Sequence, residues 1–425
     1  MKKISLLLVV TFALSLFCST EPSLVKASQK DITANVIFIT DDSNEKLNFS
    51  KIPTLLEDKE FIDDHNIGNN GLKKLGDEII IKGVYNNHKN SANINEVDSV
   101  FINYELLHKE DIISYAKEQI ESGKGVYFYG NDIDKELFLK TFGIEDCLIE
   151  DKADEKGKLS PPPTVEPGEI IVSEKSILMA IGVVKEDWGY NLVTIESSYF
   201  DYYLMIDSLL HEAIHAKKLK IEKPYEQIGG KGITASSSYI DNFPIVTSRR
   251  STKNFNNNWW RVITDFYLHR VPDEDAYNDY FIIETMTEFD YNSGNHAYAM
   301  RMRDELQPTY SVDTVRDGAP KSQSGSITIT VSLYPPAVSF TYSPGPQKVS
   351  VKSALSLSNN NFYAEYTEED FWTTCFLGGN IFRTCLSFKS TGTSLASVKL
   401  YQRFQNDYNL NWYYSHNPYT LEYRY

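Results

Sequence analysis

Cysteine is scarce: four in 425 residues, at positions 18, 147, 375 and 385. None has the close paired spacing of a thiolate zinc site, and four are too few for a dense disulfide scaffold. Positive charge is also short, with 42 Lys and Arg against 58 Asp and Glu and a formal net charge of -16. That balance argues against nucleic acid or anionic membrane as a general electrostatic partner. No glycine-rich phosphate loop and no repeat of fixed period occur. Beyond the N-terminus no run approaches the ~20 apolar residues of a membrane-spanning helix.

What is present begins with a targeting signal. Lys2 and Lys3 precede an apolar run from Ile4 to Phe17, and Val25-Lys26-Ala27 offers a small-residue cleavage site, so residues 1–27 are expected to be a secretory signal peptide and the protein extracellular. Cys18 goes with that signal; Leu16 and Phe17 before it fit a lipid-attachment site poorly. Cys147 stands alone. Cys375 and Cys385 flank Gly378-Gly379-Asn380, and an oxidising compartment can close them into a hairpin disulfide; two reduced, buried thiols are the alternative.

Composition divides the rest. From 28 to 149, the runs NVIFIT, EIIIKGVY, SVFINY and GVYFYG are short, continuous and apolar, and Ile112, Ile113, Ala116 and Ile120 recur at helical spacing before Gly123. Strand, helix, strand with apolar strands predicts a small α/β domain whose parallel sheet is covered on both faces. Asp41 and Asp42 follow the first strand, where such sheets place ligands, but a polar loop explains them equally. Residues 150–168, charged and then proline-rich, read as a linker. From 169 to 254 the order strand, strand, helix suggests a small α+β connector. From 255 to 425, alternating aromatic-rich runs with turn residues between them predict a β-rich C-terminal half.

One motif carries chemistry. HEAIH at 211 to 215 places His211 and His215 one turn apart, where both imidazoles can hold Zn²⁺ while Glu212 activates its water, so a secreted zinc metallopeptidase is one reading. A third ligand would come from Glu226, Asp241, Glu284 or Glu288, of which the last two lie in DYFIIETMTEF, a strand-like alternation. The competing reading is an amphipathic helix whose apolar face is Ile206, Leu209, Leu210 and Ala213. Both histidines then lie on the opposite side, toward solvent, next to Lys217.

A second stretch, GSITITVSLYPPAVSFTYSPG at 325 to 345, contains no charge. Ile327, Ile329, Val331 and Leu333 alternate with Thr and Ser, Tyr334-Pro335-Pro336 turns, and Val338, Phe340 and Tyr342 alternate again. A hairpin with one apolar and one hydroxyl face is what a barrel pore takes from each protomer; an ordinary sandwich hairpin shares the pattern.

The segment LYQRFQNDYNLNW, through Tyr401, Arg403, Asp407, Tyr408, Leu410 and Trp412, resembles the C-terminal rim strand of the leukocidin and haemolysin family of secreted β-barrel pore-forming toxins. Residues 263 to 293, with Tyr277, Asn278 and Asp279 in a charged turn, look like that family's first cap strands, and the uncharged hairpin falls between the two segments, where the family keeps its pre-stem. The likeness spans roughly 255 to 425. It implies a leukocidin-like antiparallel β-sandwich with no catalytic residue and no cofactor, a homo-oligomer on a target-cell membrane, and insertion driven by burial of the hairpin's apolar face at roughly 25 cal/mol per Å². Trp372, Trp412 and Tyr413 would then sit at headgroup level, unless they pack within the sandwich. A non-lytic, surface-binding sandwich is the third reading.

Overall fold

The four apolar runs of the N-terminal third become strands because every position along them is covered. β1 (Ala34–Ile39), β2 (Lys73–Leu75), β3 (Ile79–Tyr85), β4 (Ser99–Asn103) and β5 (Gly125–Tyr129) open a sheet in which β3, β1, β4 and β5 are parallel and β2 joins β3 antiparallel. The computed structural model describes residues 33–40, 73–75, 79–85, 96–150, 162–172, 176–226, 243–255, 260–271, 277–291, 299–309, 313–320, 322–324, 327–332, 337–342, 349–368, 381–391, 395–406, 410–416 and 418–425. Val36 and Phe38 point to one face of the sheet and Ile37 and Ile39 to the other, all at most 1% exposed, which is why no polar alternation shows in the sequence. Helix α1 (Glu110–Glu121) links β4 to β5 and buries Ile112, Ala116 and Ile120 on the Ile37 face. It ends before Gly123, whose φ of 81° suits glycine. Helix α2 (Lys135–Phe142) is capped by Asp134, which accepts from the Leu137 N–H at 2.9 Å, and sets Phe138 edge-on to Phe128.

The chain then leaves this sheet twice and returns. β6 (Leu148–Glu150) and β7 (Ile171–Val172) belong to a second sheet, while β8 (Ile177–Glu186) and β9 (Gly189–Ser197) extend the first one antiparallel from β5. Helix α3 (Tyr202–Glu226) follows, with Asp201 accepting from the Leu204 N–H at 2.9 Å. After it, β10 (Ile245–Asn254) pairs parallel with β9, and β11 (Trp260–Val271) and β12 (Asn278–Tyr291) continue antiparallel. The remaining strands are β13 (Ala299–Pro308), β14 (Thr314–Ala319), β15 (Gln323–Ser324), β16 (Ile327–Ser332), β17 (Ala337–Tyr342), β18 (Val349–Ser356), β19 (Asn361–Glu368), β20 (Ile381–Thr391), β21 (Leu395–Asn406), β22 (Trp412–Tyr414) and β23 (Tyr419–Arg424).

They complete one twelve-stranded sheet, in order β14-β20-β12-β11-β10-β9-β8-β5-β4-β1-β3-β2. The second sheet runs β15-β18-β19-β13-β21, with β22 and β23 end to end along the far edge of β21 and carrying β7 and β6. The two sheets face each other across a sandwich core: Phe266, Phe281, Ile283 and Phe382 from the first meet Met302, Phe362, Tyr366, Leu400 and Phe404 from the second. The C-terminal β-sandwich that the resemblance implies is therefore present. Its first sheet is continuous through β8, β9 and β10 with the parallel strands of the N-terminal part, so the α/β segment, the α+β connector and the sandwich share a single sheet.

The sandwich interior is not wholly apolar. Asp304 lies fully inside it and accepts from Thr285 Oγ1 at 3.0 Å, Thr384 Oγ1 at 2.7 Å and Gln402 Nε2 at 2.9 Å. Burial holds its carboxyl above the usual aspartate range, and the three hydrogen bonds only partly offset that.

The signal segment 1–27, Asp41, Asp42, Asp241, Leu333, Trp372, Cys375, Asp407 and Tyr408 lie outside the described residues, as does the side chain of Glu226. Cys385 is a free, fully buried thiol on β20, with Sγ 3.8 Å from Glu284 Oε1. The strand turns the thiol toward Glu284, inside the protein, and the other cysteine of the expected bridge, Cys375, is among the residues not described. Cys147 is also free.

Candidate functional site

The HEAIH helix was the sequence's one candidate for chemistry, and α3 holds it. Ile206, Leu209, Leu210 and Ala213 bury the expected apolar face in one cluster with Phe38, Tyr127, Tyr129 and Val193 of the sheet. The opposite side does not face solvent. The twisting sheet brings β10 and β11 alongside that side, and their polar residues meet it.

Glu212 Oε1 takes a hydrogen bond from Arg250 Nη1 at 2.6 Å and another from Tyr127 OH at 3.1 Å. Arg250 Nε reaches Asp265 Oδ1 at 2.6 Å. His215 Nε2 lies 3.1 Å from Asp265 Oδ2, and its Nδ1 lies 3.8 Å from Glu288 Oε2. A second ion pair, Arg261 to Asp207, ties β11 to the same helix one turn earlier. Burial works against the Arg250 charge, but Asp265 and Glu212 more than offset it and hold the guanidinium's pKa well above its usual value. Asp265 is buried too, yet Arg250 and the His215 hydrogen bond keep its carboxyl below the ordinary range. Burial, then the neighbouring Glu212, push the Tyr127 phenol well up, so it stays a donor.

This arrangement differs from a helix whose polar side is open to solvent. The histidine face is packed, not solvated, and Glu212 closes an internal ion pair. A water-activating base needs an open carboxylate beside a metal-bound water, whereas Glu212 is 2% exposed with one oxygen already taking two donors. Glu284, another proposed ligand, pairs with Arg383 and lies 3.6 Å from His269 Nε2. Among the described residues no three His, Cys, Asp or Glu side chains gather as a metal site.

The second candidate, the uncharged hairpin, stands apart from both large sheets. β16 and β17 form a two-stranded sheet of their own. Its register sets Ile327 opposite Tyr342, Ile329 opposite Phe340 and Val331 opposite Val338, with Thr328, Thr330 and Ser332 facing Thr341, Ser339 and Ala337 between them. The backbone of β16 passes within 8 Å, Cα to Cα, of β14 and β20. No helix among the described residues is long and apolar enough to cross a membrane.

Of the expected rim aromatics, Trp412 is 1% exposed, and the guanidinium carbons of Arg303 and Arg403 lie 5.0 and 5.3 Å from its ring centroid. Tyr413 stacks on Phe404 at 5.6 Å against the sandwich core. Trp412 is thus an internal residue of the sandwich edge, a correction to the headgroup placement. The sequence gives no hint of Arg250 as the partner of Glu212, or of Asp265 as the partner of Arg250 and His215, because they arrive from strands 38 and 53 residues beyond Glu212. The one available signal was RRS within β10, whose charges are too many for a half-buried strand unless each has a partner.

No family model matches the chain, and no curated protein matches it. Among solved structures it is similar to Clostridium perfringens delta-toxin, at 12% identity over 41% of this chain and 86% of that one, with a TM-score of 0.24. It is also similar to the membrane-inserted form of the Clostridium perfringens NetB toxin, at 5% identity over 42% of this chain and 93% of that one, with a TM-score of 0.20. A third likeness is to the collagen-binding subdomain of the Enterococcus faecalis surface protein ACE, at 9% identity over 38% of this chain and 96% of that one, with a TM-score of 0.20.

Proposed function

We propose that the chain is a secreted, cytolysin-like protein that binds a target membrane, assembles as a homo-oligomer and inserts the hairpin 325 to 345 as its share of a β-barrel. The observation that carries this reading is the hairpin itself. Among the described residues β16 and β17 pair with each other and not with either large sheet, so moving these two strands as a unit keeps their own ladder.

Sequence supports the same segment over a longer span. No charged residue occurs between Lys321 and Lys348, so each arm can lengthen toward the ~9 to 11 residues of a tilted membrane strand, at the expense of the two-residue pairing of Gln323 and Ser324 with β18. In hydrocarbon every backbone N–H and C=O must find a partner within the protein. One hairpin leaves both of its edges unpaired there. Closure by neighbouring copies removes the edges, which is why insertion requires an oligomer.

The reading predicts that purified protein releases dye trapped in lipid vesicles and forms detergent-resistant oligomers on them. A zinc chelator leaves release unchanged. Protein that neither assembles on vesicles nor releases dye, over a range of lipid compositions, would contradict it.

A further inference from the structure

The outer face of the second sheet is not open to solvent at its centre. Residues 162–170, the described end of the charged and proline-rich stretch, cross it as a strap between β6 and β7. Beneath the strap lie Arg303 of β13 and Arg403 of β21, 3% and 1% exposed. Both donate to one backbone oxygen: Arg303 Nη1 reaches the Thr164 carbonyl at 2.9 Å and Arg403 Nη2 reaches it at 3.3 Å. Glu169 follows with one carboxylate oxygen 3.3 Å from Arg303 Nη2 and the other 3.5 Å from Arg403 Nη2. Thr164 Oγ1 donates to Glu305 Oε2 at 2.5 Å. The Trp412 N–H donates to the Ile170 carbonyl at 2.9 Å, and Ile171 and Val172 run parallel to Trp412 and Tyr413.

We infer that this face is a peptide-binding site, occupied in cis by the chain's own strap, whose ligand in trans is an extended acidic segment of another protein. The strap makes each contact that such a ligand would make. A strand adds to the edge of β22, two arginines grip a carbonyl and a carboxylate five residues apart, and an acidic side chain takes a hydroxyl. The flanking carboxylates decide between ligand classes. Glu365 pairs with Arg303, and Glu305 accepts from the Thr164 hydroxyl and from Asn361 Nδ2; both carboxylates repel a doubly charged phosphate more than a peptide that brings one carboxylate, a carbonyl and a hydroxyl.

The strap itself is lightly held. Its outward side chains include Val165 and Ile170, 38% and 62% exposed, and β7 contributes only two residues of pairing. The site beneath is incompletely satisfied: Arg403 Nε and Nη1 are buried without a hydrogen-bond partner among the described residues. Burial and then the neighbouring Arg303 hold the Arg403 guanidinium below its usual pKa. A tethered occupant competes at an effective concentration of about millimolar, so a ligand in trans must bind better than the strap or meet a loosened one.

The test is fluorescence anisotropy with a labelled peptide of residues 162–172, PPTVEPGEIIV. It is titrated into the full chain and into a full-length variant whose 162–172 is replaced by Gly and Ser of equal length. Saturable binding to the variant is expected, about tenfold or more tighter than to the unaltered chain. A peptide carrying Glu169→Gln, or the same variant carrying Arg403→Lys, should bind about tenfold more weakly. No saturable binding by a variant that keeps the wild-type circular dichroism overturns the inference. So does displacement of the peptide by inorganic phosphate at equal concentration. Should the replacement fail to fold, Glu169→Gln in the intact chain takes its place: hydrogen exchange across 162–172 should accelerate and the free peptide should bind, and unchanged exchange with no binding overturns the site.

Discussion

Arg250 Nη1 lies 2.6 Å from Glu212 Oε1, and neither side chain is more than 2% exposed. This contact joins the long helix to β10, and the same arginine reaches Asp265 on β11. Removing one partner of a buried pair leaves the other charge in a medium that cannot solvate it. Glu212→Ala should therefore lower the unfolding free energy by about 3 to 5 kcal/mol, read from urea denaturation at neutral pH. Added zinc or chelator should not move either protein's midpoint. A loss under 1 kcal/mol, or a chelator effect on the wild type, would mean that Glu212 has another role.

Tyr127 reaches Glu212 only because β8 is hollow opposite it. A Cβ built on Gly182 would come within 2.1 Å of the Tyr127 ring. Gly182→Ala must push the ring aside and break its 3.1 Å bond to Glu212, at a cost of about 1 to 3 kcal/mol. Thermal unfolding checks this. A variant as stable as the wild type would show that the ring has room to move.

Asp304 sets a pH dependence whose sign is fixed by burial. Its folded pKa is raised above the unfolded value near ~3.9, so the folded state binds the proton more readily. The group's contribution is fully favourable below the unfolded pKa and is lost as pH rises through the folded one. Asp304→Asn cannot ionise. The stability of the variant relative to wild type should shift in favour of wild type as pH falls from 7 toward 4, in urea titrations at matched ionic strength. A difference that stays constant, or shifts the other way, contradicts the assignment.

Cys385 is fully buried, and burial pushes its thiol up to about 11. Native protein should leave it unmodified by thiol reagents at pH 8, while protein unfolded without reductant should be alkylated there. Peptide mapping that finds Cys385 linked to Cys375 would contradict the free thiol.

Legibility in the sequence followed the physics of each segment. The parallel strands were readable because burial on both faces writes continuous apolar runs, as at Val36 to Ile39. Helix α1 was readable from Ile112, Ala116 and Ile120. β10 was not: its residues Arg249 to Asn254 are polar throughout yet buried, and the partners of Arg249, Arg250 and Asn254 come from elements distant in sequence, which no local period records. The order strand, strand, helix over 169 to 254 leaves out one strand, since β7, β8 and β9 all precede α3.

The candidate sites divide in the same way. The hairpin's two faces and its turn are local properties, and the register of Ile329 with Phe340 follows the alternation. The HEAIH motif misled because its identity is local while its environment is not. Helical spacing placed His215 away from the apolar face, correctly, but could not say that Asp265 and Glu288 would be waiting there. Trp412 likewise reads as an interfacial aromatic until Arg303 arrives from another strand.

The measurement that bears most directly on the central claim is dye release from lipid vesicles by Val331→Asp beside Thr330→Asp. The two substitutions add the same charge to neighbouring positions of one strand, one on the apolar face and one on the hydroxyl face. The account predicts that Val331→Asp abolishes release while Thr330→Asp, set toward a water-filled lumen, retains it, with both proteins folded by circular dichroism. Equal release by both, or loss only with Thr330→Asp, would contradict it.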